Sequence, residues 1–139
     1  MAVRYFALLM GVAFTLAGVG GFVPGVTLPP NADMPALTLP ASYGLLLGLF
    51  PINLIHNLIH LGLGIWGLVA WRGYDAARLF ARGVAVVLAA FTVMGLLPVF
   101  NTTFGVLPLF SHDIWLHGLE AAAAFYFGFV YKGVRYGYA

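Results

Sequence analysis

The residues of this chain that can hold a metal, move a proton or ligate a cofactor are concentrated in two short stretches. One carries Asn53, His56, Asn57 and His60 within a run of Leu, Ile and Gly, and the other carries Asp113, His117 and Glu120. At 3.6 residues per turn, Asn53, His56, Asn57, His60, Gly64, Gly67 and Trp71 share one narrow helix face, with Leu and Ile around the rest of the circumference. Asp113, His117, Glu120, Ala124 and Gly128 form a similar, more acidic stripe, and His112 falls to its side.

Three kinds of chemistry suit these groups. A metal site would use His56 and His60, spaced i, i+4, together with His117 and Glu120, a nitrogen and oxygen set suited to zinc, iron or copper as a divalent ion. A haem b would take His60 and His117 as axial ligands, one from each stretch, with the glycines leaving room for a flat ring. A proton or quinone relay would use the same groups without a fixed ion. Asn53, Asn57 and Asp113 are the supporting polar residues in each case. Peptide hydrolysis is disfavoured, because Asn57 stands where a metalloprotease H-E-x-x-H motif has its Glu. The structural alternative is polar glue between helices, but such bonds average only about 0.6 kcal/mol in membranes, a weak reason for so many polar groups together.

The elements that position these stripes follow from composition. The 139 residues are 63% hydrophobic and only 7% charged, with a mean hydropathy of +1.00, against roughly 25% charged in soluble domains. An integral membrane protein with the lipid bilayer as its first partner is expected. The formal net charge of +2 comes from few groups and forms no basic patch, so nucleic acid is excluded as a partner. The absence of Cys excludes disulfides, thiolate-ligated zinc, iron–sulfur clusters and covalently attached haem.

Hydropathy divides the chain into four spans forming a single all-α domain: residues 5–22, 51–71, 76–97 and 112–131. The first lacks a good small-x-small cleavage site and reads as a retained helix rather than a signal peptide. Its Gly11, Thr15 and Gly18 share a face suited to close helix approach. Residues 23–47 hold five prolines and read as an extramembrane loop, as do residues 98–111. Pro51 suits the first turn of the second helix.

Arg4, the Arg72/Arg78/Arg82 group and Lys132/Arg135 fall on one side of this zigzag, which places both termini in the cytoplasm. Trp66, Trp71, Tyr74, Tyr126, Tyr131, Tyr136 and Tyr138 crowd towards the same side. Measured from the outer ends at 1.5 Å per residue, His56 and His117 lie about 8 Å deep, Glu120 about 12 Å and His60 about 14 Å. An ionised carboxylate deep in a bilayer costs about 2.5–3.5 kcal/mol and needs a partner, for which His60 and His117 are candidates.

The two halves also align as repeated helical hairpins. Gly11-Val-Ala matches Gly83-Val-Ala, Pro24 matches Pro98, His60 falls opposite His117, and His56 falls opposite Asp113. Asn57-x-x-His60-x-x-x-Gly64-x-x-Gly67-Leu68, with Asp113-Ile-Trp-Leu-His117 opening the fourth span, resembles an uncharacterised family of small four-span bacterial membrane proteins, loosely similar to DoxX-like proteins. The resemblance implies a multi-pass protein of a bacterial cytoplasmic or thylakoid-type membrane and brings no established activity. His56 and Glu120 lie outside the resembling pattern. The expected function is a binding or accessory module built on an intramembrane His/Asn/carboxylate cluster, within a larger membrane complex or a homo-oligomer. The alternative is a haem- or metal-dependent redox protein.

Overall fold

A computed structural model describes residues 1–133; Arg135, Tyr136 and Tyr138, used above to orient the chain, lie outside the described residues. The fold is mostly helical. Its helices are α1 (Ala2–Gly20), α2 (Leu54–Ala70), α3 (Tyr74–Leu96) and α4 (His112–Phe125), and α4 continues into a π-helical turn over Tyr126–Val130. Two of them, α1 and α3, are long and apolar enough to cross a membrane.

The helices form two hairpins. α1 packs along α2 and α3 along α4; α3 also touches α1 and α2, while the α4 backbone keeps its close contacts for α3, the π turn and strand β3, defined below. The small residues of α1 explain its intimacy with α2. A Cβ on Gly11 would stand 2.7 Å from Leu68 N, and one on Gly67 would stand 2.7 Å from Gly11 Cα. Both obstacles are backbone, which cannot swing aside. Gly11→Val should therefore destabilise the fold by about 1–3 kcal/mol, the usual cost of overpacking, read as a lower melting temperature in detergent. A Gly11→Val protein that melts like the parent would show that the hairpin tolerates a wider spacing.

The loop expected over residues 23–47 is helix-free, yet it is not structureless. Strands β1 (Thr27–Leu28), β2 (Gly44–Leu46) and β3 (Phe50–Ile52) form an antiparallel sheet in the order β1-β2-β3. This corrects the expected start of the second span at Pro51. Pro51 pairs with Leu45 in β3, an edge strand, where a residue without an N–H is tolerated. The helix begins only after Asn53, whose side chain accepts a hydrogen bond from His56 N at 3.0 Å as its N-cap.

The helix expected over residues 112–131 departs from a uniform α-helix at Tyr126. There the Gly128 carbonyl accepts hydrogen bonds from Arg78 Nε at 3.0 Å and Arg82 Nε at 2.9 Å. At the same end of the bundle, Arg4 Nε donates to the Trp71 carbonyl at 2.7 Å. At the opposite end the two long loops are stitched together. Thr38 and Leu39 donate backbone N–H groups to the Gly105 carbonyl, and Asn53 Nδ2 donates to Leu39 O at 3.1 Å and to Val106 O at 2.7 Å.

Candidate functional site

The polar stripe of α2 is its buried face: His56, Asn57, His60, Gly64 and Gly67 are all inside. The glycines let α1 lie against this face, where His60 packs on Phe14 of α1 and His56 meets His117 of α4. Asp113 and His117, one turn apart, form the matching buried positions of α4.

The structure brings His56, His60 and His117 into one cluster, with one ligand nitrogen from each lying within 4.8 Å of the others. The His56 ring centroid is 4.5 Å from that of His60 and 5.6 Å from that of His117. These side chains are 1%, 9% and 2% exposed. Asp113 Oδ2 lies 3.8 Å from His56 Nδ1, beyond hydrogen-bond reach but close enough to orient that ring. The carbonyls of Pro51 and Pro108 also face His56, outside good hydrogen-bond geometry.

The hydrogen-bond inventory of this region is unusual. Among the described residues, the buried side-chain nitrogens and oxygens without a hydrogen-bond partner belong to His56, Asn57, His60, Asp113 and His117. Leaving a buried polar group unpaired costs about 1–3 kcal/mol, so native proteins rarely accumulate them in one place. Polar glue would show the reverse pattern, with the partners matched to each other.

Asn53 and Asn57 divide in role. Asn53 is consumed as a cap and loop clasp, with all three hydrogen bonds directed to backbone. Asn57 is fully buried beside Gly21, where a Cβ would collide with its amide, and both amide atoms are unpaired. Glu120 is outside the three-histidine group and lines an adjoining cavity. His112 stands apart, exposed, accepting a hydrogen bond from Trp115 Nε1 at 2.9 Å.

That cavity, of about 430 Å³, lies between α1, α4 and the sheet. Its polar end consists of His60, Asp113, His117 and Glu120, and its walls include Phe14 and Phe50. Phe14 lies nearly parallel to His60, with centroids 5.8 Å apart and an interplanar angle of 16°. No signal in the sequence pointed to these walls, because they come from α1 and β3, which meet the histidines only in the folded chain.

Residues 4–130 match a family described as "Domain of unknown function (DUF4383)". This accords with the uncharacterised family that the residues of the second and fourth spans imply. No curated protein and no solved structure matches the chain.

Proposed function

The chain belongs to the DUF4383 family, and from that premise we propose that it is a four-span membrane protein that binds one divalent transition-metal ion through His56, His60 and His117. The observation that carries this reading is the convergence of three imidazoles whose buried nitrogens find no protein partner. Three neutral histidines are a sufficient protein set for zinc, with a fourth position left for water or ligand. At 2.0–2.1 Å bond lengths, tetrahedral ligand nitrogens sit about 3.3 Å apart, so each ring needs to draw in by less than about 1 Å. Asp113 would then act on His56 as carboxylates commonly act on metal-bound histidines, fixing the ring orientation. Asp113 and Glu120 together supply the two negative charges that would neutralise a dication in an apolar surrounding.

The geometry favours an ion over a haem. His56 lies against both His60 and His117, so a third imidazole occupies the neighbourhood in which a macrocycle would have to sit between two axial ligands.

Multi-pass insertion is supported by the outer surface. Leu9, Ile65, Val86 and Leu119, one on each helix, are 60–68% exposed, which suits lipid on every side. With Arg4, Arg78 and Arg82 gathered at one end, we place that end at the cytoplasmic face of a bacterial membrane.

Elemental analysis of protein purified in mild detergent tests the reading directly. About one transition-metal ion per chain is expected, removable by a chelator and restored by added zinc or cobalt. A metal-free preparation that takes up neither ion would overturn it. Asp113→Asn should weaken binding by about 10–100-fold, the usual cost of losing an outer-shell partner, measured by competition with a chromogenic chelator.

A further inference from the structure

The cavity beside the histidines has a chemistry of its own. Its rim is formed by exposed apolar side chains, Leu16 on α1 and Leu47 at the β2–β3 turn, while His60, Asp113 and His117 are buried and Glu120 is part-buried. A charged solute entering here would have to pass apolar walls without a compensating polar contact. On the outer side, the stitched loops cover the histidines, with Asn53 tied to both. The open approach is therefore sideways, through the surface that the apolar helices present to lipid.

We propose that this cavity binds an uncharged, membrane-dissolved ring compound carrying hydroxyl or carbonyl oxygens, of the phenol and quinone class. Its volume of about 430 Å³ falls within the range of small-molecule sites. Phe14 and Phe50 provide flat walls for a ring, and Phe14 lies nearly parallel to His60 in an offset arrangement. The lining offers carboxyl oxygens from Asp113 and Glu120 and ring nitrogens from His60 and His117, so that an imidazole N–H can donate to a carbonyl oxygen and a carboxyl oxygen can accept from a hydroxyl. A fatty acid would fit the apolar walls equally well but, in the ion-free protein in which the two ligands are compared, would bring a third carboxylate against the first two. The proposal goes beyond metal binding, since it stands on the shape and lining of the cavity and holds with or without an ion among the imidazoles.

The full chain reconstituted in lipid nanodiscs provides the test, with a decyl-substituted benzoquinone as the probe and decanoate as the charged control. The quinone retained per chain after gel filtration, corrected for empty nanodiscs, should saturate near one, and decanoate should be retained at least tenfold less. Leu16 is 67% exposed, so Leu16→Trp can narrow the mouth without disturbing the core. It should lower quinone retention at least fivefold while leaving helicity and metal content unchanged. Glu120→Gln, which leaves the three histidines intact, should also weaken retention. Retention that never saturates, equal retention of decanoate, or retention indifferent to Leu16→Trp would each overturn the proposal. Metal content measured on the same samples separates the two ideas. Quinone binding without metal would sink the ion and keep the cavity ligand, and metal without quinone binding would do the opposite.

Discussion

Replacing His60 and His117 together with alanine should reduce bound metal from about one ion per chain to background while the protein remains folded. One imidazole, that of His56, is then left to hold the ion. Loss of outer-shell partners alone costs about 10–100-fold in affinity, so loss of two direct ligands should exceed that range by a wide margin. Stability should respond differently. His60 Nδ1 and His117 Nδ1 are buried without hydrogen-bond partners, and removing a buried unpaired group relieves its desolvation cost of about 1–3 kcal/mol, partly offsetting the packing lost. The contrast separates a binding site from interhelical glue. If the histidines only hold the helices together, the parent should carry no metal as purified and the double variant should melt well below it. Metal analysis and circular dichroism melts of the same samples decide between these outcomes.

The second large effect is expected at Asn53, whose side-chain hydrogen bonds all go to backbone groups. Its Oδ1 caps α2 by accepting from His56 N, and its Nδ2 holds one carbonyl from each long loop, Leu39 and Val106. Asn53→Ala removes the cap, worth about 0.5–2 kcal/mol, and leaves the part-buried carbonyls of Leu39 and Val106 without this partner. A carbonyl that keeps some access to water loses less than the about 1–3 kcal/mol of a fully buried unpaired group, so the variant should lose about 1–3 kcal/mol in all. Asn53→Ser, which restores the cap but not the loop clasp, should recover only the first part of the loss. Denaturant titration in detergent measures both. An Asn53→Ala protein within about 0.5 kcal/mol of the parent, the range of an ordinary surface substitution, would mean that the loops are held elsewhere.

These two positions also show what can be read from a sequence and what cannot. The stripe Asn53 to Gly67 and its counterpart from Asp113 were legible because helical periodicity survives in an apolar background, and their buried faces are the ones the spacing selects. The small face of α1 was legible for the same reason, since Gly11 and Gly18 do meet α2. The sheet was not. Strands of two and three residues are too short to show an alternating pattern, and the prolines around them signal only a break. Asn53 therefore read as one more member of the stripe, because the partners that make it a clasp lie 14 and 53 residues away. Helical phase and depth group Glu120 with the histidines; in the fold it lines the same cavity as His60 and His117 but stands outside the three-imidazole cluster.

The two-hairpin construction has a thermodynamic corollary. Glycine contacts weld α1 to α2 within one hairpin, yet the three imidazoles are drawn from both hairpins, two from α2 and one from α4. Anything held by all three can bind only while the hairpins are closed on each other, so occupancy and closure are linked quantities. By mass action, an occupant at 100 times its dissociation constant adds about 2.7 kcal/mol to the closed form. With an occupant among the three imidazoles, the seam between the hairpins would act as a clasp whose strength is set by the free concentration of what it holds.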